Sequence, residues 1–215
     1  KEMINRIVGK GFKSVEELDE YNKFIEGASL RDHRKIGQDL DLFCLSEYVG
    51  PGLPLFTPRG TIIIDELKKE IERICRRYGF EKVSCPSLAD ISLFETSGHA
   101  MKFNEELFRV ESPKGHKFAL NPVQCPHHTQ IYASKLRSYK DLPLRFNDID
   151  VIHRNEKSGQ LNGLFRVRMF RQDDSHNYVT EEQIGQEIKQ IIEIASKMYG
   201  IFGLEYKLTL STRPE

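Results

Sequence analysis

No two of the four cysteines, at positions 44, 75, 85 and 125, stand at CxxC spacing. That excludes a zinc ribbon and a secreted disulfide framework. There is no GxGxxG and no GxxxxGK, so neither a Rossmann nor a P-loop nucleotide site is expected. No apolar run is long enough to span a bilayer and no signal peptide is visible, which points to a reducing cytoplasm and no membrane partner. Net charge is missing too, because 32 Lys and Arg balance 32 Asp and Glu. Whole-chain charge therefore gives no support for nucleic-acid binding, although it leaves room for a local basic patch. With 215 residues the chain can bury a sizeable core, as one large domain or one domain plus a tail.

What is present is an alternation. Arg166, Arg168, Phe170, Gln172, Asp174 and His176 recur at every second residue. On a β-strand they share one face, and Val167, Met169, Arg171, Asp173 and Ser175 take the other. The first face offers cations for phosphate, a ring for stacking, an amide and a carboxylate for orienting a polar substrate, and an imidazole for a metal. At about 3.4 Å per residue, Phe170 and His176 lie roughly 20 Å apart, the reach of a nucleotide joined to a small second group. Upstream, Leu144 to Glu156 reads as the partner strand, with turn formers from Lys157 to Gly163 between them, so a long hairpin is expected. Ile152, Arg154 and Glu156 would then join the face of Arg166 and Phe170. Such charges also suit a solvated sheet face, but Phe170 among cations argues for a ligand.

Three helices frame this hairpin. From Thr61 as N-cap, Ile63, Leu67, Ile71, Ile74 and Tyr78 recur at helical spacing until Gly79. From Thr180, a capping box to Gln183 opens a helix whose buried side would carry Ile184, Ile188, Ile191, Ala195 and Met198. Ser14 to Glu17 has the same spacing, and Val15, Leu18, Tyr21 and Ile25 would pack that helix on the body of the domain. Strands are expected near residues 82–86, 107–110, 116–121, 144–156, 164–176 and 205–211. The fold class is α+β, a mostly antiparallel sheet flanked by helices.

Phe146 to Glu156 followed by Arg166-Val167-Arg168-Met169-Phe170 resembles the second signature motif of class II aminoacyl-tRNA synthetases. Tyr78 to Pro86 resembles the first motif, a helix leading into a strand that ends at a proline. Within the class, Arg31 to Gly37, Asn121 to Pro126, His153 to Gly159 and Gln172 to His176 are most similar to the threonyl-tRNA synthetase family. The likeness runs over nearly the whole chain. It implies that residues 1–30 form a connector following an absent editing domain. Residues 31–215 would form the N-terminal part of the catalytic domain, truncated on its C-terminal side, without the third motif and the anticodon-binding domain.

The resemblance also implies roles. ATP would be held by Arg154 on the α-phosphate, Glu156 on the adenine amino edge, Phe170 under the ring, and Arg166 on the outer phosphates with Mg2+. Arg154 is the catalytic candidate. Gln172 and Asp174 would orient threonine. One zinc ion per subunit would be bound by Cys125 and His176, with a third ligand expected beyond Glu215. The partners implied are ATP, threonine, tRNA(Thr) and a second copy of the chain in a homodimer. On its own, Cys125 also reads as a buried structural thiol. Two positions depart from the pattern: His127 stands where the family commonly has glycine, and Val123 where it has methionine. Three alternatives are a prolyl- or seryl-type synthetase without zinc, a non-catalytic synthetase-like module that binds tRNA or a partner, and a zinc-stabilised structural module.

Overall fold

The structure is a computed structural model that describes residues 8–212. Its first half comprises α1 (Val15–Leu30), α2 (His33–Asp39), β1 (Phe43–Cys44), β2 (Leu55–Phe56), α3 (Pro58–Arg77), β3 (Glu81–Lys82), β4 (Leu88–Asp90), α4 (Ile91–Thr96) and α5 (His99–Lys102). β5 (Arg109–Glu111), β6 (Lys117–Leu120), α6 (Cys125–Ala133), β7 (Leu144–Asp148), β8 (Val151–His153), β9 (Met169–Arg171), β10 (Asp174–Tyr178) and α7 (Ile184–Ile201) follow. This is the expected α+β arrangement of antiparallel strands with helices against them. One pairing departs from it: β3 runs parallel to β7.

The long hairpin forms, as two paired segments with a gap. β8 pairs with β9 through Ile152 opposite Phe170, and β7 with β10 through Phe146 opposite His176. Asp148 is opposite Asp174 and Val151 opposite Arg171, so two residues are skipped on each arm and none is inserted. The alternation therefore keeps its phase across the gap, since an extra residue on one arm would have flipped every later side chain. Asp150 accounts for the interruption. Its amide donates to the Asp148 carboxylate at 2.7 Å, and its own carboxylate accepts from the Ser84 hydroxyl and the Cys85 amide, both at 2.8 Å. At the loop end, His33 Nε2 accepts the Leu164 amide at 2.9 Å. Gly163 passes this ring at φ 50°, where a Cβ would meet the ring nitrogen at 2.2 Å.

Helices cover both faces. Behind the hairpin, α7 is tied on by Glu187, which accepts from Arg145 at 2.6 and 2.5 Å and from Asn177 at 2.9 Å. Ile71, Ile74 and Cys75 of α3 join Phe80, Ile149 and Ile194 in a core cluster. Between these helices and the sheet lies an open cavity of about 760 Å3, lined in part by Leu67, Val167, Met169 and Met198. In front, α6 crosses the other face, with Tyr132 stacked on Tyr178 at 4.1 Å.

Several local expectations are corrected. The N-cap of α3 is Thr57, not Thr61: Thr57 Oγ1 accepts the Gly60 amide and Pro58 fills the first turn, where its missing N–H costs nothing. The stop at Gly79 is as read. Gly79 has φ 77°, its amide reaches Arg76 O and the Phe80 amide reaches Cys75 O. The capping box at Thr180 opens a short 3-10 turn that continues into α7. Along α7, however, Ile184, Ile188 and Ile191 are exposed and the buried residues are Glu187 and Ile194. No residue of α1 is buried; Tyr21 instead packs on Phe12 at 5.0 Å, with Lys10 above it. Residues 205–211, expected as a strand, form none. Arg213 and Pro214, expected to lead out of that strand, lie outside the described residues.

Candidate active site

The front face of the hairpin has two ends. At the loop end, the Arg154 guanidinium lies over the Phe170 ring, 5.2 Å from its centroid, and its Nε donates to Pro122 O at 3.3 Å. The Arg154 amide donates to Arg168 O, which puts Arg154 opposite Arg168 and on the face of Phe170. Glu156 accepts from Arg166 at 2.8 Å, and its side chain is only 12% exposed. Arg168 Nε donates to Glu156 O at 3.0 Å. Arg154, Glu156, Arg166 and Phe170 are thus brought together. Glu156 and Arg166 neutralise each other here, so any ligand using both must replace their mutual contact.

At the other end, Gln172 is exposed in the gap of the hairpin, while Asp174 and His176 are half-buried on β10. His176 Nδ1 lies 2.7 Å from His128 Nδ1, with the two rings edge to face at 84°. Burial, and then the neighbouring His128, push His176 below the ordinary histidine value, which keeps it neutral. Cys125 opens α6. Burial, and then the charge of Asp174, push its thiol up, and the Cys125 thiol in turn acts on the Tyr178 phenol, which burial holds at about 12. Asp174 and Tyr178 flank His176 on the same face of β10.

Behind His176 sits a buried polar cluster that the sequence did not reveal. Cys85, His128 and Asp148 are all buried, with one potential ligand atom from each within 4.8 Å of the others. Asp148 is fully buried. Burial alone would raise its carboxyl, but hydrogen bonds from His128, the Asp150 amide and Cys85 outweigh it and hold the group below the usual carboxylate range. Burial drives the Cys85 thiol strongly upward, so it stays protonated. Asn121 and Gln124 are also fully buried, joined at 2.5 Å, and they fix the loop that leads into α6. Parity held the only usable sequence signal: Asp148 and Phe146 alternate into the face of His176 from the opposite arm.

His127 turns elsewhere. It is buried 6.0 Å from Phe94, with neither ring nitrogen hydrogen-bonded, and burial lowers it below the ordinary histidine value. No helix among the described residues is long and apolar enough to cross a membrane.

The face carries cations and a ring at one end, and sulfur and nitrogen donors at the other. Cys125 and His176 fit a zinc ion in type, since thiolate and imidazole are its preferred donors and one ring nitrogen of His176 remains after the contact to His128. The Cys85, His128 and Asp148 group fits less well, because all three already satisfy one another away from solvent.

Residues 108–215 match the family described as tRNA synthetase class II core domain (G, H, P, S and T). The chain is 42% identical over 213 residues to the threonine--tRNA ligase of Clostridium botulinum (strain Kyoto / Type A2) and 40% identical over 213 residues to that of Thermotoga petrophila. Each match covers 99% of this chain and 33% of the relative, so the chain spans about a third of the length of these curated relatives. A crystal structure of the RNA binding domain of threonyl-tRNA synthetase from Cryptosporidium parvum Iowa II superposes with a TM-score of 0.77 at 37% identity, over 80% of this chain and 43% of that one. On the half of its length that matches, and on the hairpin that half contains, the chain belongs to the class II aminoacyl-tRNA synthetase core-domain family.

Proposed function

We propose that this chain is part of an enzyme that activates threonine with ATP and transfers it to tRNA(Thr), residues 31–215 being the first part of its catalytic domain. The observation that carries this reading is the single hairpin face, with Arg154 over Phe170 at one end and Asp174 and His176 at the other. The likeness to threonine--tRNA ligases supports the choice of amino acid.

Activation joins the threonine carboxylate to the α-phosphorus of ATP and releases pyrophosphate. The carboxylate is already ionised, so no general base is needed. Phe170 stacks under adenine and Glu156 accepts from its amino group, once Arg166 has swung from Glu156 to the outer phosphates and their Mg2+. Arg154 donates to the α-phosphate oxygens, where negative charge grows in the transition state. Holding the two reactants in line supplies the rest. Gln172 orients the amino acid and Asp174 accepts the hydroxyl proton of threonine.

Zinc, held by Cys125, His176 and a ligand beyond Glu215, would supply a Lewis-acid centre that engages both the amino and the hydroxyl group of threonine. Specificity calls for such a device: an apolar pocket separates near-isosteres such as threonine and valine by only about a hundredfold, whereas a site that must engage the hydroxyl gives far more. The homodimer belongs to the same proposal and is supported by the exposed Ile62 and Ile63 of α3. A cytoplasmic location accords with the enzyme's substrates. ATP–pyrophosphate exchange with a panel of amino acids tests the reading. Threonine should support exchange and valine should not; exchange with proline or serine alone would replace it.

A further inference from the structure

We propose that His33 is a positioning residue for the nucleotide: it ties the tip of the hairpin loop to α2 and so sets where Arg166 stands when ATP enters. The inference rests on the reading of Arg166 as a ligand of the outer phosphates, and goes beyond it by assigning a residue from outside the hairpin.

The tip of the loop is a closed unit. Asn162 and Arg166 form a bridge, the Asn162 amide donating to Arg166 O at 3.1 Å and the Arg166 amide to Asn162 O at 3.2 Å, and the Phe165 amide also donates to Asn162 O, at 2.9 Å. Arg166 therefore moves with the turn that carries it. The base of the loop is anchored separately. There the Asn155 amide donates to Glu106 O at 2.8 Å, the Arg168 amide to Gly52 O at 2.7 Å, and the Arg168 guanidinium to Pro51 O at 3.3 Å. Among the described residues, one hydrogen bond ties residues 159–165 to a partner outside the hairpin: the Leu164 amide donates to His33 Nε2 at 2.9 Å. A backbone N–H can only donate, so this nitrogen is the acceptor without any assumption about the rest of the ring.

Packing fits the same role. The His33 side chain is 25% exposed, the Phe165 ring meets it edge to face with 4.6 Å between centroids, and Gly163 passes it too closely for a Cβ to fit. His33 is itself held. It is the first residue of α2, capped by Asp32, whose carboxylate accepts the Arg34 amide at 2.9 Å and the Arg34 guanidinium at 3.0 and 2.6 Å. Further along α2, the buried Gly37 lies against the Phe43 ring of β1. Arg166 is paired with Glu156 at 2.8 Å, and its guanidinium must turn away from that partner to reach the phosphates. With the tip tied down, the change is a side-chain rotation about a fixed backbone. With the tip released, the turn has to be ordered each time the nucleotide binds, and the entropy of that ordering opposes binding.

The test uses the natural full-length protein. In the wild type without nucleotide, the Leu164 amide should exchange its hydrogen much more slowly than an open loop amide, and exchange at the unprotected rate would overturn the proposal without any substitution. His33→Leu then removes the acceptor and keeps an apolar side chain in its place. In ATP–pyrophosphate exchange it should raise KM for ATP roughly 5- to 30-fold, the penalty of ordering about one backbone residue on binding, with kcat and KM for threonine little changed. His33→Gln, which offers an amide oxygen at a similar reach, should restore most of the lost ATP affinity. A His33 that merely supports the fold would lower kcat and raise both KM values together, and that result overturns the proposal. So does a folded His33→Leu protein whose KM for ATP stays within twofold of wild type. The underlying reading fails differently: Arg166→Gln with an unchanged KM for ATP, or a wild type without threonine-dependent exchange, would remove it.

Discussion

Replacing Phe170 by leucine removes an aromatic face while keeping most of the apolar volume. Phe170 is half-buried, paired with Ile152 across the hairpin and covered by Arg154 at 5.2 Å. An alanine there would confound the result, because deleting a core-lining ring costs several kcal/mol in stability by itself, about 3–5 for a fully buried phenylalanine. A leucine should cost under about 1.5 kcal/mol. Stacking of a base on an aromatic ring is worth about 1–3 kcal/mol. At about 1.4 kcal/mol per factor of ten, losing it should raise KM for ATP roughly 5- to 150-fold. The KM for threonine should move much less, since the amino-acid end lies beyond the gap at Gln172 and Asp173. ATP–pyrophosphate exchange reads both constants, and the melting temperature of the variant controls for misfolding. A stable Phe170→Leu enzyme with its ATP KM within twofold of wild type would refute the assignment of this ring to adenine.

Other consequences follow from the scaffold. Glu187→Ala leaves Arg145 largely covered and unpaired, with side-chain exposures of 15% and 5% for the pair, and should cost up to about 3–5 kcal/mol in urea denaturation. The Arg145 hydrogen bond holds the Glu187 carboxyl below its ordinary value despite burial. That contribution is complete above the unfolded carboxyl pKa of about 4.3 and fades as pH falls through the lower folded value. Denaturation of wild type and Glu187→Gln between pH 6 and about 3 should converge, and parallel curves would contradict this. Gly163→Ala must hold φ 50° against His33 and should lose at least about 1–2 kcal/mol; unchanged denaturation would show that His33 does not fix the loop.

How far the sequence could be read depended on the range of the interactions. The hairpin was legible because its period of two is local, and its phase from Arg166 to His176 survives the gap that Asp150 creates. Gly79 and Thr180 were legible because a helix end is written within a few residues. Thr57 was missed in favour of Thr61 because both are competent caps, and Pro58 was the deciding signal. The isoleucines of α7 read as core, yet α7 is anchored by the Glu187 carboxylate to Arg145 and Asn177, a contact no periodicity encodes. The cluster behind His176 was invisible for the same reason. Cys85, His128 and Asp148 come from three separate segments, and each alone reads as an ordinary residue. Only β3 running parallel beside β7, and α6 laid across its face, bring them together.

In the proposed enzyme one hairpin face would hold adenosine at one end and a hydroxyl-sensing metal centre at the other. Metal content and amino-acid selectivity, measured together on full-length wild type and Cys125→Ala, test it most directly. Wild type should carry about one zinc per subunit and exchange with threonine but not valine, and Cys125→Ala should lose both the metal and the selectivity. A wild type that discriminates threonine from valine without zinc, or a Cys125→Ala protein that keeps both, would contradict the account.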